Sequence, residues 1–234
     1  MTQTNTYKNE LSLKDYLAKT FSTVAIGVGI SAILAEVTAK VLPTLMVKAP
    51  GFVVGMSFAL IIIELVIAFY FSANLTKMAK STAWFCYILY SVVTGLSFGS
   101  IIMLYTDASV ALAFVSTAIM FACMSIIGHT SNMDFTKVYA IFIPAVLAGI
   151  VITILNALFF HAPAIDMMIV YIGLILFLII TAADVQRLKQ FYYGTQGDSE
   201  LSEKFMIMGA FQLYLDFANL FIKIVQIFGR RRRD

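Results

Sequence analysis

Charge is what this chain has least of. Only 12% of its 234 residues are Asp, Glu, Lys or Arg, against roughly 25% in an ordinary soluble chain. With 61% of residues hydrophobic and a mean hydropathy of +0.91, a water-soluble globule of this length would lack the polar surface to cover itself. Cysteine is scarce as well. Cys86 and Cys123 both lie inside apolar runs, which excludes a disulfide framework and a zinc-ligand spacing. There are only four prolines, so long helices can run with few interruptions. The net charge of +3 provides no broad basic face for nucleic acid. A secretory signal is missing too: the first twenty residues, through Thr20, are hydrophilic and carry Lys8, Glu10, Lys14, Asp15 and Lys19. The first apolar run is therefore expected to stay in the membrane as a span.

What the chain does have is apolar length. A bilayer core of ~30 Å needs ~20 apolar residues in a helix, and seven stretches qualify: Phe21–Leu42, Phe52–Ala73, Ala83–Tyr105, Val110–Gly128, Val138–Phe160, Met168–Gln186 and Phe205–Phe228. The expected fold is an all-α polytopic membrane protein. A hydrophilic tail (1–20) precedes a seven-span domain (21–229), and a short basic tail (230–234) follows it. Lys77, Lys80, Lys137, Arg187, Lys189 and Lys204 fall on the same side as the N-terminal lysines, while the other internal loops hold little beyond Lys48. The positive-inside rule then puts the N-terminus in the cytoplasm. Seven full spans place Arg230–Arg233 outside, against that rule. Either the last segment stops short or the upstream loops drag the tail across, and its apolar length favours a full crossing.

Ionisable residues inside apolar runs are expensive and mark functional candidates. Asp216 lies in the middle of the last segment. Steps of three and four from it reach Gly209, Gln212, Asn219, Lys223 and Gln226, a polar stripe on one helical face. Such a stripe must face other helices or a wet cavity, because unsatisfied polar groups in lipid cost several kcal/mol. It serves either as a hydrogen-bonded seam or as an ion path. Within it, Lys223 either snorkels outward or acts as an internal counter-charge. Asp184, one turn before Arg187, is by position either a wetted helix-end acid or part of a site. Glu64, mid-segment with no base within a turn, needs a partner from another helix or a proton. Glu36 and Lys40 are spaced as a local pair near the interface.

The stretch Leu213-Tyr214-Leu215-Asp216-Phe217-Ala218-Asn219-Leu220-Phe221 resembles the C-terminal signature of the Bax inhibitor-1 family. Thr181-Ala182-Ala183-Asp184-Val185-Gln186-Arg187-Leu188-Lys189 is similar to that family's other aspartate motif, and Tyr90-Ser91-Val92-Val93-Thr94-Gly95-Leu96 also resembles it. The resemblance covers the whole chain and is nearest to the bacterial branch. It implies a seven-helix bundle with the C-terminal helix central, wrapped by the other six, in a bacterial inner membrane. It further implies that Asp184 and Asp216 form a di-aspartyl pH sensor in a calcium leak pathway. Two departures stand out. Ala183 occupies the place of a common Tyr, and Leu75, with Lys77 the nearest base, stands where a relative carries a latch arginine on the second helix.

Two carboxylates close together in low dielectric do not both ionise cheaply, so such a pair holds one proton over some pH range and titrates as a unit. Without that proton, the pair, helped by the side-chain oxygens of Gln212 and Asn219, offers a hard-cation site. Two carboxylates are too few for tight binding, so calcium is expected as a transient passenger, with no resident cofactor. No enzyme is expected. The Tyr-Asp and Gly-x-Gly-Asp signatures of intramembrane aspartyl proteases fail at Ala183 and Leu215, and His129 and His161 lie in loops on opposite sides. The alternative to transport is a regulatory membrane protein acting by contact with a membrane protease or another membrane protein.

Overall fold

In a computed structural model, residues 12–135 and 137–232 are described. They form seven helices long and apolar enough to cross a membrane: α1 (Leu13–Lys48), α2 (Pro50–Asn74), α3 (Lys80–Ile102), α4 (Asp107–Thr130), α5 (Val138–Leu155), α6 (Pro163–Gly194) and α7 (Ser199–Phe228). A single π-helical turn, Asn156–Phe160, prolongs α5. Helix starts follow local chemistry. The Ser12 hydroxyl accepts from the Asp15 N–H and the Asp198 carboxylate from the Leu201 N–H, satisfying otherwise orphaned donors. Pro50 and Pro163 open α2 and α6, where the missing N–H costs nothing.

Helices α1, α2, α4, α6 and α7 overrun the apolar segments that predict them, because polar flanks with good helix formers such as Lys, Gln, Arg and Glu continue a helix beyond the lipid. Helix α1 starts at Leu13, inside the hydrophilic stretch ending at Thr20, while residues 1–11 of that tail lie outside the described residues. Helix α6 is extended as well, running to Gly194 rather than ending near Gln186.

Burial is arranged around α7. Leu213, Leu220 and Val225 are fully buried, and Ile224 nearly so. Helices α1, α3, α4 and α6 pack directly on it, and α2 reaches it through Phe71, whose ring meets Phe211 edge-on at 5.0 Å. Helix α5 is the exception to a helix wrapped by six. It packs on α6, with Phe142 against Phe177 at 5.3 Å, and none of its residues is buried. Its run of Ile, Val and Leu is apolar all round, so lipid serves as its partner and no polar face demands a protein neighbour. Large apolar side chains such as Ile33, Phe69 and Ile141 point outward. On a soluble protein that surface would be a liability, and here it is the lipid-facing skin.

Small residues set the closest helix contacts. A Cβ on Gly95 or Gly99 would collide with α1 at Ser31 and Thr38, and one on Gly128 would collide with the Ala182 backbone of α6. Without a hydrophobic drive between helices in lipid, this close approach supplies the packing.

The start of α1 and the end of α7 sort to opposite faces. Lys80 pairs with Glu203 at 2.6 Å, bringing the starts of α3 and α7 together. The Tyr16 and Tyr192 rings meet at the same end, 5.5 Å apart and tilted at 57°. At the other end the tail binds the α3–α4 turn: the Thr106 N–H donates to Arg230 O at 3.0 Å, and the Arg232 N–H to Leu104 O at 2.9 Å. Helix α7 therefore runs the length of the bundle, and Arg230, Arg231 and Arg232 sit at the end opposite the start of α1. Arg233 and Asp234 lie outside the described residues.

Candidate functional site

On α7, Gly209, Asp216 and Lys223 recur every seven residues, a spacing that keeps them on one side of the helix. That side meets α6 in antiparallel register. Gly209 faces Leu188, Asp216 faces Asp184 and Thr181, and Lys223 faces Gly173. The Gly209, Asp216 and Lys223 line of the stripe is thus turned into the α6–α7 seam, while Gln226 is exposed.

At the middle of this seam the Asp184 and Asp216 carboxyl groups lie within hydrogen-bonding reach of one another. Both side chains are buried, at 6% and 4% exposure. Helix α6 continues ten residues beyond Asp184, to Gly194. That is ~15 Å of helix, so Asp184 is no helix-end acid. A hydrogen bond between two carboxyls needs a proton from one of them, since ionised carboxylates only accept. One oxygen of Asp216, Oδ2, is buried without a donor among the described residues. An unpaired buried charge costs several kcal/mol, and a shared proton relieves it.

Asp184 is held from the side of the helix ends by two groups that the aspartate motifs do not single out as a pair. The Tyr139 hydroxyl, on α5, donates to Asp184 Oδ1. The Arg187 guanidinium lies over the Tyr139 and Phe191 rings, 5.2 Å from each centroid, and interacts electrostatically with Asp184. Below them Gln186 ties down the α4–α5 turn, donating from Nε2 to Met133 O at 2.8 Å and accepting from the Phe135 N–H at 3.1 Å. Lys189 donates to His129 O. Together these close the seam toward the end that carries the start of α1. Tyr139 leaves no sequence signal, because it reaches the site only through the packing of α5 on α6. Arg187 was visible in sequence as the base one turn beyond Asp184. Leu75, at the latch position, is buried in the core, so the base beside Asp184 comes from α6 itself.

The other candidates divide. Lys223 pairs with no acid among the described residues; it lies along α6 with its ammonium 5.8 Å from the Phe177 ring centroid, within cation–π range. Asn219 is half-buried and its amide donates to Leu215 O of its own helix at 2.8 Å, leaving its side-chain oxygen available. Gln212 is half-buried on the same helix. Glu64 is not brought to the pair. It faces α3, beside the Thr94 and Ser97 hydroxyls, close to Tyr214. Tyr214 and Asp216 are two residues apart and so point to opposite sides of α7. Glu36 and Lys40 form the local ion pair their spacing predicts, at 2.8 Å. Among the described residues no group of three or more His, Cys, Asp or Glu gathers as a metal cage. The carboxyl pair is the densest acidic feature of the seam.

The chain matches known proteins along nearly its whole length. The family model described as Inhibitor of apoptosis-promoting Bax1 matches residues 13–233. The chain is 35% identical to an uncharacterised protein of Borreliella burgdorferi, over 97% of both chains. It is also 35% identical to inner membrane protein YbhL of Escherichia coli, over 94% of this chain and 93% of that one. An uncharacterised membrane protein of Streptococcus pyogenes is 32% identical, over 95% and 96% respectively.

Proposed function

The chain is a multi-pass membrane protein belonging to the Bax inhibitor-1 family, and we propose that it is a pH-sensitive calcium leak pathway of a bacterial inner membrane, governed by the Asp184–Asp216 pair. The observation that carries this reading is the meeting of two buried carboxyls in the α6–α7 seam, with Tyr139 and Arg187 closing one side of it.

With one proton between them, the carboxyls bind each other and the seam stays shut. Tyr139 holds Asp184 in place, and Arg187 adds a positive charge on the closed side. Loss of the shared proton leaves two like charges in a poorly solvated place, a state relieved by separation, by water or by a cation. Calcium takes six to eight oxygen ligands. The pair and the Asn219 oxygen supply only a few of these, so water must complete the shell. Such a site passes the ion on rather than storing it. Protons and calcium compete for the same oxygens, and this couples flux to pH.

The direct test is calcium entry into liposomes containing the purified full-length protein, measured across a pH series. We expect entry above protein-free vesicles, with a rate that changes with pH. No entry at any pH would overturn the reading and favour regulation through protein contacts instead.

The same reading places the start of α1 and the α6–α7 turn in the cytoplasm, following the lysine and arginine distribution. In intact cells a membrane-impermeant thiol reagent should label Arg231→Cys and spare Ser199→Cys. The reverse pattern would invert the orientation.

A further inference from the structure

Helices α1 and α4 form a wedge against α7. Near the end that carries the start of α1 they touch, with the Phe21 and Phe121 rings 6.3 Å apart and edge-on. Toward the other end they separate, and a cavity of about 700 Å³ opens between them. This volume lies within the range of sites that enclose small organic ligands. It is distinct from the carboxyl seam, which lies on the opposite side of α7.

The cavity arises from residue size. Helix α1 presents Ala32, Ala35 and Ala39 to it, and α4 presents Ala111, so neither helix fills the gap. The rest of the apolar wall comes from the rings of Phe98, Phe114, Phe217 and Phe221 and from aliphatic side chains such as Ile102 and Val110. Its polar floor is satisfied, because Ser31 and Tyr214 hydrogen-bond to each other at 2.6 Å and Ser31 also donates to Ser91 O. Nothing in the floor therefore demands water. A dry apolar space of this shape gains by taking in hydrocarbon.

Its mouth is different. Two exposed ion pairs flank it, Glu36 with Lys40 and Asp107 with Arg232. They lie at the end of the bundle where the chain terminates, at the level where α1 and α4 leave the apolar zone. The mouth therefore presents two cations and two carboxylates, all solvent-accessible, directly above an apolar slot that opens sideways to lipid through the exposed Ala32 and Ala111.

We propose that this cavity is a binding site for one acyl chain of a zwitterionic phospholipid with an ethanolamine headgroup. The phosphate sits against Lys40 and Arg232, and the ammonium against Glu36 and Asp107. An anionic headgroup satisfies the cations but is repelled by both carboxylates, so charge complementarity selects the zwitterion. The bound chain props α1 away from α4 and thereby fixes the packing of both on α7.

Native mass spectrometry of the purified full-length protein, after detergent exchange, tests this. Equal amounts of an ethanolamine phospholipid and an anionic glycerol phospholipid are added. Wild type should retain one phospholipid, with the ethanolamine form favoured at least threefold. Filling the slot with Ala32→Phe plus Ala111→Phe should cut retention at least fivefold, whereas Ala148→Phe, on the lipid-facing side of α5, should leave it unchanged. The exposed double variant Glu36→Gln plus Asp107→Gln alters no packed side chain. It should keep the lipid and lose the headgroup preference. Three results would overturn the proposal: no retained phospholipid in wild type, equal retention in the slot-filled and Ala148→Phe proteins, or an ethanolamine preference that survives the loss of both carboxylates.

Discussion

Asp184→Asn and Asp216→Asn should each flatten the pH response of calcium entry into proteoliposomes. Asparagine preserves the size of the side chain and its hydrogen-bonding capacity but carries no titrating proton. Changing either member ends the sharing of one proton between two carboxyls, so the coupled titration of the pair is lost although the remaining acid keeps a proton of its own. The double variant should consequently be little worse than either single one, a strong departure from additivity expected of residues in direct contact. Substitution at Glu64 is the informative control. It removes another intramembrane acid, on the far side of α7, and should leave the pH response in place. Equal pH dependence in wild type and in both single variants would end the sensor reading. In that case any remaining flux would have to be gated elsewhere.

The second large effect concerns the α4–α6 crossing that sets the position of Asp184. Gly128 is pressed against the backbone of Ala182, two residues before Asp184. A side chain there has no flexible neighbour to displace, so the helices themselves must part. Gly128→Leu is expected to cost at least the ~1–3 kcal/mol typical of overpacking. At ~2–4 °C per kcal/mol for a chain of this size, the thermal midpoint in detergent should fall by about 5 °C or more. Gly128→Ala should lie between wild type and Gly128→Leu. Gly149→Ala meets open space and should change little or raise the midpoint, since glycine is a poor helix former. A fully stable Gly128→Leu protein would show that α4 and α6 are not held by this contact. Because the shift moves Asp184 relative to Asp216, the same variant should also disturb the pH response of flux.

Seven spans were legible in the sequence because a bilayer imposes a length and a polarity on each helix, and both are local properties. The stripe on α7 was legible for a related reason. Gly209, Asp216 and Lys223 share a face by helical geometry alone, and lipid cannot accept that face, so it had to turn inward. The full crossing of α7 followed from its apolar length, and the tail bound at Leu104 and Thr106 agrees with it. Helix ends were less legible. Arg187, Lys189 and Gln190 read as the end of a span, yet α6 continues to Gly194 because helix propensity persists where hydropathy stops.

Partners across the bundle were beyond reach of the sequence. Asp184 and Asp216 were placed together by family resemblance, but their meeting depends on the antiparallel register of α6 and α7. That register is set by Gly209 against Leu188 and Lys223 against Gly173. Tyr139 was invisible because its role comes from docking α5 on the outside of α6, and no periodicity in α5 points to one face. Glu64 needed a partner from another helix or a proton by its sequence position, and only the placement of α2 against α3 shows which groups it meets. The cavity between α1 and α4 was equally hidden. Alanines in a helix record what a side chain omits, and only the tertiary arrangement decides whether a neighbour fills the space. Composition and helical period thus determined the class, the spans and the polar face of α7. Which polar groups meet, and where space is left, depended on contacts between residues distant along the chain, and those arise from packing.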